Sequence, residues 1–438
     1  MESIWNLTQE MPTFPQLKKD LKTDVLIVGG GITGILCAFM LQKRGVGCVV
    51  VEAGRICGGV TQNTTAKITL QHGLLYNKII DKYGLEKAKG YFLAQNEALE
   101  SYRQLCREID CGFEIRDSFV YSCDSRREIE EEANALRKIG CPAVVKEQLE
   151  LPFETRGAVC VANQAQMHPL KLLSALAKDL RIYENTRVLN WKAGEVTTDR
   201  GKIRAEKVII ATHFPFLDRY GAYFLKMYQH RSYVLALKNV PAMKGMYVDA
   251  SNKGLSFRSY QGLLLLGGGG HRTGKKGGNW QELSRFAEKY YPQAEEVCRW
   301  ATQDCITLDG IPYIGQYAKN APSLYVATGY NKWGMTSSMV AATLLADMVE
   351  GRQNAYAQVF APDRGLLHPQ LLINGFETAK NLLTPTAPRC PHLGCALKYN
   401  PQEHSWDCAC HGSRFSKDGT VLNNPANTPL TRKIKFSD

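Results

Sequence analysis

The 438-residue sequence has no low-complexity tract, no internal repeat and no long block of like charge. That excludes an extended disordered or fibrous chain and leaves a folded one. The opening residues, MESIWNLTQE, hold no basic stretch followed by an apolar one, so no secretory signal is read there and a cytoplasmic location is expected. Only one run, Val25 to Gln42, goes 18 residues without a charge, the length of a membrane-helix candidate. Three consecutive glycines, Gly29 to Gly31, break it near its start. A strand, a tight loop and a buried helix are expected there, and no transmembrane segment. Lys plus Arg number 54 against 42 Asp plus Glu, a net charge of +12. This excess either steers an acidic partner or anionic ligand or is a scattered, solvated surface. Its clusters are as short as Lys275-Lys276, and no nucleic-acid motif accompanies them, so nucleic acid is not an expected partner.

The length predicts two to four lobes with a large core, at roughly 100 to 200 residues per domain. Of the 14 cysteines, ten are scattered before residue 310 and read as reduced, buried small hydrophobes. The other four, Cys390, Cys395, Cys408 and Cys410, crowd together with histidines between them, a pattern that suggests metal. Residues 24 to 52 read as strand, glycine loop, helix and strand. Helices are predicted over 85–109, 126–139, 169–180 and 336–349. Strands are predicted at 182–189, 195–198, 207–211, 233–237, 255–259 and 263–266, the later ones forming a second, antiparallel lobe. A linker is predicted near Pro385 and Pro388.

Gly29-Gly30-Gly31-Ile32-Thr33-Gly34 fits G-x-G-x-x-G and lies directly between the predicted strand and helix. Gly29 permits the turn, Gly31 admits a pyrophosphate to the backbone, and Gly34 lets the helix pack closely. Glu52 ends the next strand, where an acid can take ribose hydroxyls. A second glycine run, LLLLGGGGHRTG at 263–274, lacks a following apolar helix and is read as a strand and loop beside the same site rather than as an NAD(P)H loop.

The segments VLIVGGGITG, VVVEAGRICGGVTQNTTAKIT, KVIIATHFP, TLDGIPYIG and LYVATGYNKWGMTSS together resemble the D-amino acid oxidase (DAO) superfamily of FAD-dependent oxidoreductases, over residues 20 to about 365. The resemblance implies an α/β fold with a Rossmann-type FAD-binding domain and an antiparallel-sheet substrate domain. The FAD lobe is expected near 20–80, 155–215 and 300–365, and the substrate lobe near 81–154 and 216–299, both within an enzyme unit over 1–375. It places Gly54, Arg55 and Glu52 at the ADP half and Val188 beside adenine. Thr65, Ala66 and Lys67, with Lys332, Trp333, Gly334, Met335 and Thr336, would surround the isoalloxazine, and Thr212 and Gly329 would touch the cofactor. N-H groups at Gly334 and the helix after it would face the flavin O2.

The tail contains Cys390-Pro391-His392-Leu393-Gly394-Cys395 and Cys408-Ala409-Cys410-His411-Gly412-Ser413, which resembles the Rieske motif. A small all-β segment over 390–438 is implied, joined through the linker at 376–389. Cys390 and Cys408 on one iron and His392 and His411 on the other would hold a [2Fe-2S] cluster, and Cys395 and Cys410 would pair as a disulfide. Ser413 could donate to a cluster sulfur. Phe415 stands where high-potential members have tyrosine, which implies a less positive potential. Asn424-Pro425-Ala426 resembles the loop that covers the cluster. The chain departs from the family in having no base subdomain between 365 and 389, so packing on the flavin lobe is expected to support the tail. The C-x-H and C-x-x-H pairs also suit structural zinc.

By the resemblance, an arginine clamps a substrate carboxylate above the flavin. Arg258 is the candidate for it, a salt bridge being the other reading. Lys67 would sit near N5 or contact flavin phosphate or water, and Tyr228 would line the pocket, as would Tyr223, His230 and Arg231 unless they are core. The expected activity is a dehydrogenase that oxidises an amine or amino-acid-like substrate and passes electrons through the cluster to a protein or quinone. A reductase with inward electron flow, or an enzyme whose tail is a zinc-bound or empty interaction module, stands as the alternative.

Overall fold

The charge-free N-terminal run divides at its glycines. Strand β1 (Leu21–Val28) enters a glycine turn, helix α1 (Ile32–Lys43) follows, and β2 (Cys48–Val51) returns. Val25 to Val28 are buried without alternation, as a parallel strand covered on both faces requires. In this computed structural model, which describes residues 1–251, 254–365, 369–385 and 388–430, β1 lies between β2 and a distant strand, β3 (Gly201–Ile210), both parallel to it. The KVIIAT segment thus completes the sheet opened at the N-terminus.

The second lobe is a nine-stranded sheet. Its edge is formed by β4 (Met227–Lys238), β5 (Leu263–Arg272) and β6 (Glu295–Thr307), with β4 in the middle and antiparallel to both. The chain then re-enters the first sheet at the edge strand Tyr313–Gln316, turns back into β7 (Leu324–Thr328), parallel to β3, and leaves it as helix α2 (Gly334–Val349). Helices α1 and α2 share one apolar core, through Ile35 and Leu36 on one and Met339 and Leu345 on the other.

The tail is a four-stranded antiparallel sheet from Leu397 to Asn423. Most of the expected linker is instead helix α3 (Pro369–Leu383). Both prolines fall beyond its end, where proline stops a helix rather than breaking one. Its polar residues turn inward: Arg272 donates to Asn374 Oδ1 at 2.9 Å, and Lys275 pairs with Glu377. The strand expected at 182–189 is two, Ile182–Tyr183 and Val188–Lys192. The second glycine run lies inside β5. Among the described residues no helix is long and apolar enough to cross a membrane.

Candidate functional site

A cavity of about 1300 Å³ runs from the glycine turn to the tail. Gly29, Gly31, Glu52, Arg55, Thr65, Lys67, Val188, Thr212, Tyr228, Gly329, Lys332, Trp333, Gly334 and Met335 all line it. Gly29 has φ +108°, and a Cβ there would stand 2.6 Å from the Ala211 carbonyl oxygen. Gly34 is outside the lining because its role is packing: a Cβ on it would overlap the carbonyl oxygen of Gly29. Glu52 braces the turn, accepting from the Gly30 N–H at 2.7 Å and the Gly54 N–H at 2.9 Å. Arg55 pairs with Glu184 at 2.8 Å. Glu184 itself is fully buried and also accepts from the N–H of Ile56. Sequence reading missed it because nothing in its neighbourhood marks it.

Arg258 corrects the expectation of a carboxylate clamp. Its side chain is wholly buried and absent from the cavity lining. It donates to the carbonyls of Thr65, Ala66 (2.9 Å) and Met167 (3.1 Å) and lies over the Trp5 ring. Ala66 holds a left-handed φ of 52°, an unfavourable backbone state for a residue with a Cβ. Arg258 is thus a brace that fixes the strained Thr65-Ala66 turn and presents Lys67 to the cavity. Burial, reinforced by the Arg258 charge, brings the Lys67 ammonium down to about 7. Tyr223 and Arg231 are also elsewhere: Tyr223 is buried against Tyr317, and Arg231 pairs with Glu403 of the tail.

The start of α2 is pinned from behind. His72 stacks on Trp333 at 5.0 Å, contacts the Tyr91 hydroxyl at 2.6 Å and lies 3.1 Å from Thr336 Oγ1. Thr336 therefore supports the cavity wall without lining it. Asn331 and Lys332 both have positive φ, 51° and 75°, so the backbone is strained where it meets the cavity. Facing them from β6 is Asp304, which lines the cavity and was not expected. Burial raises its carboxyl to about 6 against the opposing pull of Lys332 and Arg231. The signal was present, an acid three residues ahead of TLDGIPYIG, but the motif itself drew the reading.

In the tail, two loops of the same form face each other. Gly394 N–H donates to the Cys390 carbonyl and Gly412 N–H to the Cys408 carbonyl, both at 2.9 Å. The loops are joined by the Cys395–Cys410 disulfide. The rings of His392 and His411 stand 5.0 Å apart, and the Nδ1 atoms of both are buried with no hydrogen-bond partner. A buried, unpartnered nitrogen is costly unless it binds something, so these atoms fit a metal group. The Cys390 thiol beside Cys408 holds the latter down to about 7 while Cys390 is pushed up. Sulfurs of Cys395, Cys408 and Cys410 also lie within 4.8 Å of one another, but a disulfide leaves two of them without thiolates to offer. The Ser413 hydroxyl interacts with Cys390 and accepts from the Ala426 N–H at 3.0 Å.

The tail rests against the lobe edge. Gln229 on β4 donates to the carbonyls of His411 (2.7 Å) and Asn424 (2.9 Å), and Gln303 on β6 donates to that of Gly412 (2.8 Å). Asn424 donates back to the Thr212 carbonyl at 2.7 Å, and both residues line the cavity. His392 Nε2 lies 2.8 Å from Asp218.

Comparison with known proteins agrees with this division. Residues 24–348 match the family model described as FAD dependent oxidoreductase (DAO), and residues 371–434 match the Rieske [2Fe-2S] domain. YhfW of Bacillus subtilis (strain 168), named for a Rieske 2Fe-2S iron-sulfur protein, is 36% identical, covering 98% of this chain and 97% of its own. Gamma-glutamylputrescine oxidoreductase of Escherichia coli (strain K12) is 26% identical over 79% of this chain and 88% of its own. The crystal structure of glycine oxidase from Geobacillus kaustophilus superposes with a TM-score of 0.65 at 22% identity, covering 79% of this chain and 99% of that one, a likeness of fold. The chain is therefore an oxidoreductase of the FAD-dependent DAO family that carries, in the same polypeptide, a Rieske [2Fe-2S] domain.

Proposed function

We propose that the chain is a dehydrogenase that oxidises an amine or amino-acid-like small molecule and delivers the electrons through its Rieske domain to a protein or quinone acceptor. The observation that carries this reading is contiguity: Asn423 and Asn424 of the tail line the same cavity as Gly29 and Lys332. When bound, FAD supplies two-electron oxidation with one-electron release, and the [2Fe-2S] cluster supplies a one-electron relay.

The chain's residues would serve these groups as follows. The Gly31 N–H and the α1 N-terminus would offer donors to a pyrophosphate, while Glu52 and Arg55 bound the ribose end and Val188 the adenine. Thr65, Lys67 and the start of α2 bound the isoalloxazine, with the α2 N–H groups favouring negative charge on the ring. Lys67, held near neutrality, can keep or yield a proton beside it. Cys390, Cys408, His392 and His411 would ligate the cluster, and Gln229 and Gln303 would fix its loop against the edge of the second lobe. The cysteines from Cys37 to Cys305 are unpaired, in keeping with a reducing, cytoplasmic setting.

Anaerobic addition of amines and amino acids to the holoprotein tests the reading, with flavin and cluster absorbance followed together. Flavin bleaching by an amine-type compound and subsequent cluster reduction is expected. Bleaching by NAD(P)H and by none of the amines would instead establish inward electron flow.

A further inference from the structure

We propose that Asp304 is the anchor for the cationic head of the substrate, so that the cavity selects a protonated amine over a carboxylate. This deepens the proposed dehydrogenase function and rests on it. Four acids, Glu52, Asp249, Asp304 and Asp309, line the cavity. Glu52 accepts the Gly30 and Gly54 N–H groups, Asp249 accepts from the Ser251 N–H, and Asp309 pairs with Arg364. Among the described residues, none donates a hydrogen bond to the Asp304 carboxylate or forms an ion pair with it. Asp304 is half-buried and opens onto the cavity, where a ligand bearing N–H groups can give its carboxylate a charge-assisted hydrogen bond.

Its neighbours have the matching chemistry. His230 lies directly across from Asp304 in the β4–β6 register, and its buried Nδ1 has no partner. Burial holds its imidazole neutral, so it adds no positive charge beside the Asp304 carboxylate. The cations nearby are already committed. Arg231 is paired with Glu403, and Lys332 sits two residues before Gly334, the first residue of α2, at the position that the resemblance puts beside the isoalloxazine. Arg258, the obvious carboxylate receptor, gives its donors to main-chain carbonyls. Asp304 is therefore a cavity-lining carboxylate without a hydrogen-bond or ion-pair partner among the described residues, and Arg258 has no fork to offer a carboxylate.

Titration of the holoprotein with n-butylamine, butyrate and glycine, each followed by the flavin absorbance, tests this directly. Butylamine is expected to perturb or bleach the flavin, butyrate is not, and glycine is expected to bind no better than butylamine. Asp304→Asn should weaken butylamine by about tenfold to a hundredfold, the range for a hydrogen bond to a charged group, with flavin content unchanged. Lys276→Met, at an exposed lysine outside the cavity lining, should leave butylamine binding in place. Butyrate binding more tightly than butylamine, a flavin indifferent to butylamine, or butylamine binding unchanged in a folded Asp304→Asn would each overturn the assignment. The wild-type comparison of amine with carboxylate decides alone if Asp304→Asn proves unstable. Photoreduction of the flavin in the same samples, followed to the cluster, reports the electron route independently, so a failed amine preference leaves that route standing.

Discussion

Removing the charge of Glu403 should loosen the Rieske domain from the second lobe. Glu403 lies in the tail and accepts from Arg231 and Tyr233 of β4 and from Arg414 of its own domain, the last at 2.8 Å. The side chains of Arg231 and Glu403 are only 5% and 9% exposed, so water cannot replace a lost partner. In Glu403→Gln, Arg414 keeps Asp407 at 2.9 Å, but Arg231 is left as a buried cation without a counter-ion. Breaking a buried pair from one side costs about 3–5 kcal/mol, which is about a hundredfold to several thousandfold in an equilibrium at 1.4 kcal/mol per decade. Part of the loss falls on the tail's own fold, since Asn400 also donates to Glu403. Flash photoreduction of the flavin, with cluster reduction as readout, should show slower or biphasic transfer, and thermal unfolding should show an earlier transition for the tail. The double replacement Arg231→Met with Glu403→Met removes both charges and should recover much of the stability. Transfer and unfolding both unchanged in Glu403→Gln would refute the view that this ion pair clamps the domains.

Three further outcomes follow from the same geometry. Gly34→Ala should lower the flavin content of purified protein at least about tenfold, because the new methyl overlaps the Gly29 carbonyl oxygen and forces α1 off the turn; full retention of FAD would contradict the packing role. Cys408→Ser should abolish bound iron and acid-labile sulfide while FAD stays bound, and retained iron in proportion to protein would show that Cys408 is not a ligand. His72, buried, has its imidazole held down to about 3. Its unfolded form therefore binds a proton that the native form refuses, and the resulting stability is present above about pH 6.5 and lost as pH falls toward 3, at about 1.4 kcal/mol per unit. His72→Gln should flatten this acid slope in chemical denaturation, and an unaltered slope would count against the burial argument.

The nucleotide-binding opening was legible because its signals are local. Apolar strand, glycine punctuation, charge-free helix and terminal acid lie within thirty-odd residues, and each agrees with the next. The helices 85–109 and 126–139 were read from periodicity to within one residue of their observed ends at Glu108 and Lys138. Strand β6 was not read, since EEVCRWATQDCIT mixes charge and apolar residues as a strand with two different faces does. The helix α3 was taken for linker because its inward face is polar, Asn374 and Asn381, and its exposed face carries Leu372 and Phe376. The same limit explains Arg258 and Asp304. Residue type suggested that an arginine would receive the substrate, but which side chain reaches a cavity depends on strand pairing between distant segments, and that placed Arg258 behind the Ala66 turn and Asp304 inside.

The central claim is that one polypeptide holds a flavin and a Rieske cluster close enough to share electrons. Anaerobic photoreduction of the purified holoprotein, stopped after about one electron equivalent and read by low-temperature electron paramagnetic resonance, tests it most directly. The account predicts the signal of a reduced [2Fe-2S] centre in proportion to the electrons supplied through the flavin. A fully bleached flavin beside a cluster that stays oxidised, and that dithionite then reduces, would contradict it.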